Sequence, residues 1–188
     1  MNMKPRRKNS LRLRGYDNSS IGAYFVTIVT WQREMLFGEI VGGEMVLYEM
    51  GEIVRDEWER TPEIRREVEL GAYVVMPNHF HAIVIINDVD DADVRRRGSD
   101  DIRVGATGRS PLRPRGPKPK SLGAIMAGFK SSVTKRLNIL HNSSGVPVWQ
   151  RNYHDRIIRN EGKMSRIWDH IESNPARWDV DDENPCNW

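Results

Sequence analysis

The chain has 188 residues, 38% of them hydrophobic and 29% charged, and a formal net charge of +3. This length suits one domain with extensions, and a lone cysteine, Cys186, excludes both an internal disulfide framework and a cysteine-built zinc site. No apolar run approaches the ~20 residues of a membrane span and the charged N-terminus lacks the apolar stretch of a secretory signal, so a cytoplasmic protein with no membrane partner is expected.

Residues 1–20 form a basic arm in which Lys4, Arg6, Arg7, Lys8, Arg12 and Arg14 precede any acid. Such a block next to a near-neutral body fits a polyanion, nucleic acid above all, and also fits a solvated tail. The stretch GAYFVTIVTWQ (22–32) is rich in β-branched and aromatic residues and predicts a strand. EMVLY (44–48), after Gly42-Gly43, predicts a short second strand. In MGEIVRDEWERTP (50–62), Ile53, Val54 and Trp58 recur at helical spacing and Pro62 stops the helix. VELGAYVVM (68–76) and HFHAIVII (79–86) predict strands, and the Pro77-Asn78 turn between them makes an antiparallel hairpin.

Residues 88–120 have no periodicity, are rich in Asp, Arg, Gly and Pro, and read as a flexible insertion with a second basic cluster from Arg95 to Lys120. Beyond it Leu122, Met126, Phe129, Val133, Leu137 and Leu140 form one helical stripe with Ser121 as N-cap. VPVWQ (146–150) predicts a short strand. A last helix is expected from Asn152-Tyr153 to about Ser173, ended by Asn174-Pro175, with 181–188 left as a tail. The order β-β-α-β-β-α-β-α implies an α+β domain at 21–180, an antiparallel sheet with helices on one face.

Two residue groups carry chemistry. Side chains alternate along a strand, so His79 and His81 share a face and can bind one metal ion. Without a metal each imidazole needs its own hydrogen-bond partner, and the plain alternative is a pair of partly exposed histidines. The second group is VWQRNYHDRIIRNE (148–161), where Tyr153 has almost wholly polar neighbours. An aromatic there is either a packing anchor or a reactive phenol. A phenol with a pKa near ~10 becomes a nucleophile only when cations, a metal or a helix N-terminus stabilise the phenolate.

YVVMPNHFHAIVII resembles the HUH (His–hydrophobic–His) strand of single-tyrosine transposases. LRLRGYDNSSIGAYFVTIVTWQRE, LGAIMAGFKSSVTKRLN, VPVWQRNYHDRIIRNE and IESNPARW are similar to segments of the REP-associated tyrosine transposases in particular. The resemblance covers most of residues 10–180 apart from 88–120. It implies a ferredoxin-like α+β fold acting, as a monomer rather than a dimer, on single-stranded DNA that carries a hairpin, with no small-molecule substrate. By that resemblance His79 and His81 hold Mg²⁺ or Mn²⁺ and Tyr153 attacks the scissile phosphate. A 5′-phosphotyrosine link and a free 3′-OH result, and a later 3′-OH displaces the tyrosine. Imidazole ligands favour Mn²⁺ over Mg²⁺.

Expected DNA contacts are Arg6, Arg7, Lys8, Arg12, Arg14, Lys130, Arg151 and Arg156. In one respect the chain departs from the family. Many relatives place a histidine ligand three residues after the tyrosine, and here Arg156, which cannot ligate a metal, stands there. Asp155 is then the candidate third ligand, and Arg156 is free to contact a phosphate. The departure also leaves open a catalytically weak DNA-binding protein derived from a transposase, and a phosphoesterase that uses water.

Overall fold

A computed structural model describes residues 21–88 and 117–187. The arm residues Arg6, Arg7, Lys8, Arg12 and Arg14 and all but the ends of the 88–120 insertion lie outside the described residues. Strand β1 (Gly22–Val29) is followed by a hairpin of β2 (Gly38–Val41) and β3 (Glu44–Leu47), then by helices α1 (Glu49–Glu59) and α2 (Thr61–Ile64). Strands β4 (Val68–Val75) and β5 (His79–Ile86) come next, then helix α3 (Leu122–Leu140), strand β6 (His154–Ile158) and helix α4 (Glu161–Glu172). The main sheet has four strands in the order β4-β5-β1-β6, and each neighbouring pair is antiparallel. This is the α+β class that the element order implied.

The sequence expectation for β2 and β3 covered only the second strand. Their turn is made by Gly42 and Gly43 at φ of +61° and +83°. Both lie in the left-handed region, which glycine reaches without a Cβ penalty and which two-residue hairpins require.

One face of the main sheet is apolar. Tyr24, Val26 and Ile28 of β1 and Phe80, Ala82 and Val84 of β5 meet Ile53, Val54 and Trp58 of α1 and Leu122, Ile125, Met126, Phe129, Val133 and Leu137 of α3. The α3 stripe lies on this face as expected, apart from its last member, Leu140, which is exposed. Ser121 caps the helix by accepting a bond from the amide of Ala124 at 3.3 Å. Arg136 ties α3 to α1 through Glu57 at 2.9 Å and Asp56 at 3.3 Å. The opposite face carries α4, whose Met164, Ile167 and Ile171 pack with Phe25, Ile83 and Ile158.

Three expectations for the C-terminal half are corrected. The helix expected from Asn152-Tyr153 begins only at Glu161, where Asn160 Oδ1 accepts from the amide of Lys163 at 2.9 Å. Residues 154–158 instead alternate between more and less exposed positions and complete the sheet beside β1. A period of two satisfies a sheet edge and not a helix face. Residues 146–150 form no strand of their own and touch the sheet through a single bridge, Trp149 to Thr30. The stretch assigned as a tail is bound into the fold: Glu183 pairs with Arg33 at 2.7 Å, and its carbonyl accepts from Asn78 Nδ2 at 2.8 Å.

Candidate metal site

The β1–β5 register sets His79 opposite Val29 and His81 opposite Thr27, on the face away from the apolar core. The two imidazoles are buried, at 0% and 6% exposure, and their ring centroids are 4.5 Å apart. Burial depresses the basicity of both. His79 is pushed down to about 3, chiefly by desolvation, with His170 and Arg33 adding to the effect and Asn174 opposing it. His81 falls well below its ordinary value through desolvation, then through His79 and His170, with Asp181 opposing. Both rings are therefore neutral near pH 7, the form that ligates metals.

Hydrogen bonds fix which nitrogen of His79 is bare. Asn78 Nδ2 donates to the carbonyls of Arg33 at 3.3 Å and Glu183 at 2.8 Å, so Asn78 Oδ1 is an acceptor. That oxygen lies 3.0 Å from His79 Nδ1, which must carry the proton. His79 Nε2 is left with its lone pair, buried and without a hydrogen-bond partner. Asn174 repeats the pattern: its Nδ2 donates to Asp181 Oδ2 at 2.9 Å, and its Oδ1 is buried without a donor. A buried acceptor without a donor is costly, and such atoms in native structures mark an ion or water site. His81 is held by Thr27 Oγ1, 2.8 Å from its Nδ1.

The third ligand is where the sequence expectation is corrected. Ligand atoms of His79, His81 and Asp181 all lie within 4.8 Å of one another. Asp181 follows the 3-10 turns Pro175–Val180 and is held by Asn174 and by the amide of Glu183, which donates to Oδ1 at 2.7 Å. Asp155 does not join them. It faces Val26 across β6 and β1, which directs it to the apolar side of the sheet. Two imidazoles and a carboxylate make a mixed N/O set that could hold a metal ion.

Tyr153 is not brought to the imidazoles. It belongs to the apolar cluster and is 9% exposed. Alternation along β6 puts His154, Arg156 and Ile158 on the imidazole face and Asp155 and Ile157 on the other. Arg156 is exposed there, paired across the strands with Phe25, whose ring stacks 5.2 Å from His81. Arg151 is exposed as well. Lys130 is turned inward: its Nζ donates to the carbonyls of Gln150 at 2.6 Å and Arg151 at 3.2 Å, and burial pushes its pKa down to about 8.

Sequence reasoning missed three neighbours of the site. The ring of His170, on α4, lies 5.3 Å from His81. Asn174 follows it by four residues, just past the end of α4 at the start of the 3-10 turns. The ring of Trp178 lies 6.0 Å from His79 at an angle of 31°. Asp181 had no local signal, because its part in the site depends on where the 3-10 turns place it.

No family model matches the sequence. A Haemophilus influenzae protein described as uncharacterized is 34% identical over 174 residues, which is 93% of this chain and 91% of that protein. Among solved structures, a REP-associated tyrosine transposase bound to a REP hairpin aligns with a TM-score of 0.48 at 18% identity, over 93% of this chain and 74% of that one.

Proposed function

The chain belongs to one family with this Haemophilus influenzae protein, and from its own residues we propose that it cuts and rejoins single-stranded, hairpin-forming DNA with the help of a divalent cation, Mg²⁺ or Mn²⁺. The observation that carries this reading is the cluster of buried His79 and His81 with half-buried Asp181, in which His79 Nε2 is left bare. His79, His81 and Asp181 would hold the ion, which when bound would draw charge from a phosphate oxygen. Arg156, exposed on the same face, would pair with a phosphate of the strand. The basic arm and Arg151 would add affinity through further phosphates, at a cost in salt sensitivity.

For the rejoining reaction the nucleophile would be Tyr153, which must leave the apolar cluster to reach a phosphate held at the imidazole face. Its phenolate oxygen bonds to phosphorus as the bond to the 3′-oxygen breaks, and the strand is held as a 5′-phosphotyrosine beside a free 3′-OH. Attack by a 3′-OH reverses the step and restores the phenol. A specific observation favours a second reading, DNA binding without strand transfer: Tyr153 lies in the apolar cluster, away from the imidazole face. Lys130 helps to tie down the segment just before it.

One assay separates the readings. The protein is incubated with Mn²⁺ and a DNA hairpin carrying single-stranded flanks, then run on native and denaturing gels. A covalent adduct that disappears in Tyr153→Phe supports cutting and rejoining. Cleavage without an adduct assigns the nucleophile to water. A native shift with neither supports the binding reading, and no shift at all sinks both.

A further inference from the structure

The turn that follows β1 is strained. Gln32 and Arg33 both have positive φ, +54° and +59°. This left-handed region is uncommon for residues that carry a Cβ, and it persists where the surroundings over-determine it. Here the ties are visible. Thr30 Oγ1 donates to the carbonyl of Glu34 at 2.8 Å, and the amide of Thr30 donates to the carbonyl of Asn78 at 2.8 Å. Asn78, itself fully buried, donates back through Nδ2 to the carbonyl of Arg33 at 3.3 Å.

What this turn delivers is the guanidinium of Arg33. Its Nη2 lies 2.7 Å from Glu183 Oε2, in a half-buried ion pair. Glu183 is tied a second time through its carbonyl, which accepts from Asn78 Nδ2 at 2.8 Å. Glu183 in turn holds Asp181, because its amide donates to Asp181 Oδ1 at 2.7 Å. At its other end Asn78 holds His79, through Oδ1 and the ring Nδ1 at 3.0 Å. One small polar network therefore reaches two of the three ligand side chains, which come from distant parts of the chain.

We propose that Arg33 is a positioning residue for metal binding: through Glu183 it holds Asp181 within reach of the two imidazoles, and the strained turn aims it there. The proposal rests on the reading of His79, His81 and Asp181 as the metal ligands. It sets the place of Arg33 against its charge. The guanidinium bears on His79, whose basicity it helps to depress, and a cation so placed repels a divalent ion. If Arg33 acted only as a charge, its removal would tighten metal binding. If it acts by holding Asp181, its removal weakens metal binding.

The test is calorimetric titration of the full-length protein with Mn²⁺ alone, with no DNA present. Four proteins are compared: the wild type, Arg33→Met, Asp181→Asn and the double variant. Arg33→Met is expected to bind Mn²⁺ several-fold more weakly than the wild type. The double variant should bind no more weakly than Asp181→Asn, since Arg33 acts through that carboxylate and the two losses do not add. Arg33→Lys keeps the charge without the planar fork and should recover part of the affinity. Unchanged or tighter binding by Arg33→Met overturns the proposal and leaves the metal site standing. A loss that adds in full to that of Asp181→Asn also overturns it, because Arg33 then acts by another route. If Arg33→Met does not fold by circular dichroism, Glu183→Gln removes the ion pair from the other side. Its loss should likewise vanish beside Asp181→Asn, and no loss at all overturns the proposal. Failure of the wild type to bind Mn²⁺ overturns the metal reading and this proposal with it.

Discussion

The two faces of the main sheet come from the same strands and bury different things. Toward α1 and α3, Phe80 packs edge-on to Trp58 at 5.0 Å and beside Phe129 at 5.3 Å, and the surrounding side chains are apolar. One residue away on either side, His79 and His81 turn to the other face, where Thr27 and Asn78 are their hydrogen-bond partners and Asp181 lies close by. Burying hydrocarbon stabilises a fold in proportion to area, whereas burying a polar atom without a partner destabilises it. The first face therefore supplies stability and the second gives some of it up to keep two imidazoles buried and fixed. A period-two strand is what lets one segment serve both.

The largest effect is expected where the apolar face is opened. Trp58 is fully buried and touches both Phe80 and Phe129. Trp58→Ala should cost about 3–5 kcal/mol in urea unfolding, through lost transfer energy and the cavity left behind. A loss under about 1 kcal/mol would show that stability is drawn from elsewhere.

The imidazole face should respond differently. His79→Leu removes the desolvated Nε2 acceptor but also the Nδ1–H donor to buried Asn78 Oδ1, so the two effects oppose and the metal-free variant should differ from the wild type in urea by far less than Trp58→Ala does. What it loses is the response to metal. With Mn²⁺ at about a hundred times its dissociation constant, the wild type should gain about 2.7 kcal/mol and the variant almost nothing. An equal rise in melting temperature for both would move the metal away from His79.

The fold of the first face was legible in the sequence because local pattern and tertiary role agree there. The α3 stripe, its Ser121 cap, the Trp58 helix and the β4–β5 hairpin each announce themselves within a short window. The second face was half legible. The His79–His81 pair stands out within an apolar strand, but Asp181 joins it only through the turns after Asn174, which no periodicity marks. The segment around Tyr153 misled for a different reason. Its Ile157 and Ile158 suit a helix or a strand, and β6 was decided by the free edge of β1, a partner distant in sequence. The Asn160 cap at the true start of α4 is a local signal that, given more weight, would have moved the boundary.

A smaller effect tests which carboxylate completes the site. Asp181→Asn keeps the size of the side chain and removes its charge, so Mn²⁺ should bind about tenfold more weakly, ~1.4 kcal/mol, by calorimetric titration. Asp155→Asn, on the far side of β6, should leave that titration unchanged. If the two variants trade places, the division of the sheet into an apolar and a metal face is wrong at β6.

The smallest effect concerns Lys130, which bonds the carbonyls of Gln150 and Arg151 next to the apolar face. Burial holds its pKa at about 8, against 10.5 for a free lysine. Below pH 8 the amine is charged in both the folded and unfolded states, and the folded state bears the full desolvation penalty. Between about pH 8 and 10.5 the folded protein releases the proton first and the unfolded chain still holds it. The unfolded state then binds more protons, so stability rises with pH across that window. Tyr73 works against this only at the upper end: burial and its bond to Glu59 raise its pKa, so above about pH 10 the unfolded tyrosine ionises first and stability falls. Urea unfolding between pH 8 and 9.5 isolates the lysine. The wild type should gain stability over that range, and Lys130→Met, which cannot titrate, should show a flatter slope. Equal slopes in the two proteins would mean that Lys130 keeps an ordinary pKa, reaching outward as a DNA contact would instead of holding the chain before Tyr153.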